Sequence, residues 1–181
     1  MIRRNRDTSL GMGVYFAPSD YVGVMRRILI IVIDATVLAV AYAVLASFLI
    51  TVTGALDGSF TTLYLLCTWM YLTVLKTSRI RTVGYRLAGA RILTLQGERP
   101  SIFRMTFRLL LWGLDPFSLI FNVFWSSLDE DYQTLSDRFA GTYLVNNRAR
   151  PMGTAEIHLA YYYAFGLALM YSRVMHPEIR N

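Results

Sequence analysis

The sequence predicts an all-α membrane protein. It has two transmembrane helices, a third hydrophobic segment broken in its middle, a small cytoplasmic two-stranded β element, and a C-terminal amphipathic or membrane helix. Three observations predict this. The hydrophobic fraction is 55% over 181 residues, above the share usual in a soluble globule. The mean hydropathy is +0.40, and the apolar residues are gathered into runs. A short polar-then-aliphatic phrase also occurs twice, as "RLAGARIL" from Arg86 and "RFAGTYLV" from Arg138.

The spans come first. Residues 28–53 form an apolar block long enough to cross a bilayer, which takes about 20 apolar residues in helix. The block is longer than a signal peptide's apolar stretch and no small-residue cleavage site follows it, so it reads as retained. Residues 60–76 make a second, shorter span, and residues 102–128 a third, interrupted by Asp115-Pro116. Leu159 to Tyr171 is a fourth and weaker apolar stretch. The chain divides accordingly into a polar basic segment (1–19), a membrane domain (20–147) and a tyrosine-rich C-terminal helix with its tail (148–181). Cys67 is the only cysteine, which excludes an internal disulfide and a thiolate metal cluster.

The formal net charge is +6, and it is unevenly placed. Arg3, Arg4, Arg6, Arg26 and Arg27 precede the first span, whereas Lys76 and a series of arginines from Arg79 to Arg108 follow the second. The link at 54–59 carries no base. Basic residues near membrane ends stay inside, so the N-terminus and the Arg-rich loop are expected in the cytoplasm, as in a bacterial inner or other cell membrane. The expected partners are the lipid bilayer, anionic lipid headgroups and other membrane-protein subunits. The interleaved aromatics of a nucleic-acid surface are missing.

Each copy of the repeated phrase reads as a helix end, a glycine corner and a short strand. Glycine suits the left-handed position after a helix, and arginine complements the helix's negative end. Gly84, Gly89, Gly97 and Gly141 are assigned to turns, with "LQGERP" the tight turn after the first strand. Two lone strands would leave backbone groups unpaired, so they are expected to pair with each other. Pairing requires both copies on one side of the membrane, and the third segment then re-enters. The alternative is one kinked helix running straight through, which puts the second copy outside.

"YVGVMRRILIIVID", "RTVGYRLAGARILTLQGERPSIFRMTFRLLL" and "TLSDRFAGTYLV" resemble, in that order, the RDD family of small membrane proteins. The resemblance spans roughly Tyr21 to Asn147. The arginine and two aspartates of the family's name fall on Arg27, Asp34 and Asp137. Gly84-Tyr85 replaces a frequent Gly-Lys pair, and Ser136 replaces a His before the second Asp. The resemblance implies membrane residence, with transport in some members and accessory roles in others.

An aspartate inside a span is costly and calls for a partner. Asp34 lies seven residues beyond Arg27 on nearly the same face. It is expected to be held by Arg27, by another arginine, or by free N–H groups at 82–84. Two roles follow: a structural lock or a proton or cation carrier. The pair Asp137 and Arg138 has the same two roles and is expected to be exposed. Asp115 is an intramembrane acid that either caps the helix after Pro116 or handles an ion. Tyr161, Tyr162, Tyr163 and Tyr171 around Gly166 suit an interfacial docking helix, with Thr154 as its N-cap and His158 near Glu156. The sequence has no phosphate loop, nucleophile elbow or metal-ligand spacing. It therefore predicts no enzyme, no cofactor, and no catalytic or metal residues. The expected function is an accessory or scaffold subunit of a larger membrane complex; the alternative is a homo-oligomeric ion or small-solute transporter.

Overall fold

A computed structural model describes residues 9–113, 132–164 and 167–175. Helix α1, Val24–Thr53, runs about 45 Å at 1.5 Å per residue, more than a hydrocarbon core of about 30 Å. It stops at Gly54, which takes the left-handed conformation and returns its N–H to Ile50 O. Helix α2, Gly58–Met70, is capped by Asp57, whose side chain accepts the Phe60 N–H, and continues through a π-helical turn at Tyr71–Leu75. Both helices are long and apolar enough to cross a membrane. Only 11% of the most apolar window in α1 is buried, and 6% of that in α2. A core helix in a water-soluble domain would show the reverse. The two antiparallel helices touch through the Tyr64 hydroxyl, which donates to Leu38 O at 2.7 Å, and through the rings of Tyr42, Phe60 and Tyr64.

The remainder corrects the all-α expectation, for its described residues include five strands in two sheets. One sheet is the expected pair. Strand β2, Ala90–Thr94, runs antiparallel to β3, Thr142–Asn146, from Ala90 opposite Asn146 to Thr94 opposite Thr142. Because both strands share one sheet, the two glycine corners lie side by side, as the re-entrant expectation requires. The part of the expected third segment beyond Gly113 lies outside the described residues. Helices α3, Val83–Leu87, and α5, Leu135–Ala140, precede the two strands, and α4, Ile102–Gly113, follows β2.

The second sheet orders β1 (Met12–Tyr15), β4 (Gly153–Ala164) and β5 (Leu167–Val174). The expected C-terminal helix is therefore a β-hairpin, registered from Ile157 opposite Val174 to Ala164 opposite Leu167, and Thr154 lies in a strand. Aromatic and branched residues favour strands wherever a paired, half-buried surface exists, and β1 supplies that surface from Met12 opposite Glu156 to Tyr15 opposite Gly153. The two sheets are joined by Val14 N–H to Leu95 O at 2.8 Å.

Strands β2 and β3 are buried on both faces. Leu93, Leu95, Tyr143 and Val145 face Phe16, Tyr21, Ile157 and Val174. Alternate residues Ile92 and Leu144 face the helices, against Ile30 of α1, Tyr85 of α3 and Met105 of α4. A one-residue slip would exchange these faces, so packing fixes the register. The result is a small platform clamped to the end of the helical hairpin.

Candidate functional site

The platform's helices are where the repeated phrase acquires meaning. Thr82 caps α3 and Thr134 caps α5. Each helix ends at a glycine of positive φ, Gly89 at 62° and Gly141 at 59°. The copies meet so that Ile92 pairs with Leu144, its own counterpart fifty-two positions on. This is a local two-fold arrangement. Gly97, at φ 82°, forms the turn after β2, its N–H reaching Thr94 O.

An aspartate secures the start of each short helix. Asp137 does so from within α5. Its Oδ2 accepts the Thr134 N–H while its own N–H donates to Thr134 Oγ1, a reciprocal capping box. For α3 the carboxylate comes from α1: Asp34 Oδ1 accepts the Gly84 N–H at 2.8 Å and the Tyr71 hydroxyl at 2.9 Å. Asp34 Oδ2 accepts the Thr82 hydroxyl at 2.8 Å. Tyr71 belongs to the π-helical turn, and its oxygen also accepts the Val83 N–H. Asp34 is thus buried among neutral donors near the positive end of a helix.

Of the holders expected for Asp34, the N–H groups at 82–84 are the ones found, through Gly84, and the Arg27–Asp34 pair is not formed. Arg27 Nη1 instead meets Asp137 Oδ2 at 2.7 Å, and Arg27 Nε donates to Val22 O. Arg108, from α4, meets the other oxygen of Asp137 at 2.6 Å. Asp137 is fully buried rather than exposed, so one carboxylate ties α1, α4 and α5 together. Burial works to raise its pKa, but the Arg108 and Arg27 charges outweigh that and hold it below the ordinary carboxylate range. Arg138 is buried too, and it contacts Tyr171 of β5. Its Nη1 donates to the Tyr171 hydroxyl at 2.6 Å, and its guanidinium lies 4.8 Å from that ring's centre.

Two more expectations change. Gly84 is no turn residue but lies in the first turn of α3, pressed against α1. A Cβ there would come within 2.6 Å of Ile30 O. Tyr171 is occupied by Arg138 and cannot serve as a free docking residue, while Tyr161 is exposed. Asp115 and Gly166, with the side chains of Tyr162 and Tyr163, lie outside the described residues. His158 and Glu156 stand 3.0 Å apart on an exposed surface. Among the described residues no cluster of three His, Cys, Asp or Glu could hold a metal.

Sequence reasoning placed the 82–84 segment against Asp34 but missed the Thr82 and Tyr71 hydroxyls as its donors, and missed Arg108 as a partner of Asp137. Arg108 offered a signal, a base within the apolar run "FRLLLW". Thr82 offered another, because the repeat extends back to Thr134 at the same spacing.

The RDD family's sequence pattern matches residues 21–141. The chain belongs to the RDD family. In this RDD protein Arg27, Asp34 and Asp137, the residues on which the resemblance places the family's name, do not share one set of bonds. Arg27 and Asp137 share a bond, and Asp34 holds a separate one on the same helix face. No curated protein and no solved structure matches the chain.

Proposed function

We propose that this RDD protein is a non-catalytic membrane scaffold, an accessory subunit that presents its platform to a larger membrane complex. One observation carries the reading: both oxygens of both aspartates are committed to donors inside the fold. A carboxylate that carries protons or cations must exchange partners during each cycle, and a closed set of bonds resists that. The exposed apolar flanks of α1 and α2 suit lipid and neighbouring spans alike.

A second reading has its own support. A cavity beside Asp34 is also lined by Lys76, Arg27 and Arg108, so a homo-oligomeric transporter using Asp34 is the rival. Flux into liposomes separates the two. The scaffold reading expects no flux from pure wild-type protein, and co-purification from native membranes at fixed stoichiometry with another membrane subunit. Flux that disappears in folded Asp34→Asn would overturn it.

A further inference from the structure

The cavity beside Asp34 has a chemistry that neither role requires. Its volume is about 170 Å³, below the roughly 300–1,000 Å³ of pockets for drug-sized molecules, and suited to one small headgroup. One end carries Arg27, Arg108 and Lys76, with the threonine and serine of "TLS" at 134–136. The other end is apolar, formed by Ile31, Ala35, Leu38, Leu72, Leu109 and Trp112. Ala35 is exposed, so the apolar end opens onto the surface that lipid would cover.

Charge at the basic end is unbalanced. Among the described residues three cations line the cavity with one aspartate, Asp34, and Asp137, outside the lining, serves two guanidiniums at once. Arg27, only 4% exposed, has an Nη2 with no hydrogen-bond partner among the described residues, and Arg108 has an Nη1 in the same condition. The Tyr85 hydroxyl beside Arg108 adds a dipole and no charge. Lys76 lies 4.9 Å over the Tyr85 ring, its ammonium directed to no carboxylate among the described ion pairs. Buried charged donors left without acceptors are costly. Paired guanidinium forks fit the oxygens of phosphate better than any neutral group does.

We propose that this cavity binds a phosphate-type oxyanion carried on an apolar tail, the chemistry of an acidic phospholipid. The phosphate sits on the free nitrogens of Arg27 and Arg108 with Lys76 nearby. The tail leaves along Ala35, Leu38 and Leu72 into the bilayer. The lipid would then fasten the α1–α4 contact from the side opposite Asp137, whether the chain acts as scaffold or transporter.

The test uses the full chain in a neutral maltoside detergent, reading the unfolding midpoint against added dioleoylphosphatidylglycerol, dioleoylphosphatidylcholine or inorganic phosphate. Two variants leave the Asp137 bonds untouched: Lys76→Gln at the basic end and Ala35→Phe in the tail channel. The expected result is a saturable rise with the phosphatidylglycerol alone, its half-saturation at least ten-fold weaker in each variant. An equal rise with phosphatidylcholine, or a phosphatidylglycerol rise unchanged in both variants, overturns the site. A full rise with inorganic phosphate alone overturns the tail and leaves a soluble-anion site.

Discussion

The Gly84 amide lies 2.8 Å from the Asp34 carboxylate, at a point where α3 approaches α1 so closely that no side chain fits. A Cβ at Gly84 would stand 2.6 Å from Ile30 O and 2.8 Å from Asp34 Oδ1. Neither neighbour is the loose end of a flexible side chain. Gly84→Ala is therefore expected to force the two helices apart and cost about 1–3 kcal/mol, the range for overpacking a tight contact. The unfolding midpoint in mild detergent checks it, and Gly113→Ala, where a Cβ meets nothing within 4 Å, is the control.

Among the described residues Asp34 accepts hydrogen bonds from neutral donors only, which makes a clear distinction between its substitutes. In Asp34→Asn the amide oxygen can still accept the Gly84 N–H and the Tyr71 hydroxyl, and the amide nitrogen can donate to Thr82 Oγ1. Stability should change by less than about 1.5 kcal/mol, the net worth of one hydrogen bond. Asp34→Leu leaves the Gly84, Thr82 and Tyr71 donors unsatisfied at about 1–3 kcal/mol each, so it should unfold the platform's attachment. Comparing the two in one denaturation series tests the assignment. If Asn proved as damaging as Leu, charge rather than hydrogen bonding would be what Asp34 supplies.

The glycine corners were legible because their chemistry is local. A helix end followed by glycine and a short aliphatic run has few other solutions, and unpaired strands must find partners. The ion pair was not legible, since Arg27 and Asp137 are 110 residues apart, whereas Asp34 sits on Arg27's own helix face. Helix geometry decides between them: side chains on a helix lean towards its N-terminus. Arg27 therefore extends back to Val22 O and Asp137, away from the deeper Asp34. The hairpin of β4 and β5 escaped for a different reason. A tyrosine-rich apolar run satisfies helix and strand patterns equally, and only β1, far away in the sequence, selects the strand.

Asp137 should make stability depend on acid. Its carboxyl is held below the ordinary range by Arg108 and Arg27, so the unfolded chain takes up its proton first as the pH falls. The stabilisation is present above the unfolded value of about 3.9 and is lost progressively below it, through the depressed folded value. Asp137→Asn leaves Arg27 and Arg108 facing each other without a carboxylate. It should cost about 3–5 kcal/mol at neutral pH, the range for breaking a buried pair. The same variant should also flatten this part of the acid limb. Unfolding midpoints of both proteins between pH 3 and 7 give the comparison.

Strand pairing makes a topological demand that labelling can check. Gln96, just past β2, and Asn147, just past β3, are both exposed and lie on one side of the membrane by the register of the sheet. Leu56, in the link between α1 and α2, lies beyond the first span. Single cysteines at the three positions in a Cys67→Ser background should therefore fall into two classes. With the basic flanks inside, an impermeant maleimide added to intact cells labels Leu56→Cys and spares both Gln96→Cys and Asn147→Cys until the membrane is opened. Had Gln96→Cys and Asn147→Cys labelled differently from each other, β2 and β3 could not share a sheet. The bond from Arg27 to Asp137 would go with it, because Asp137 reaches Arg27 only when both glycine corners lie beneath the same face.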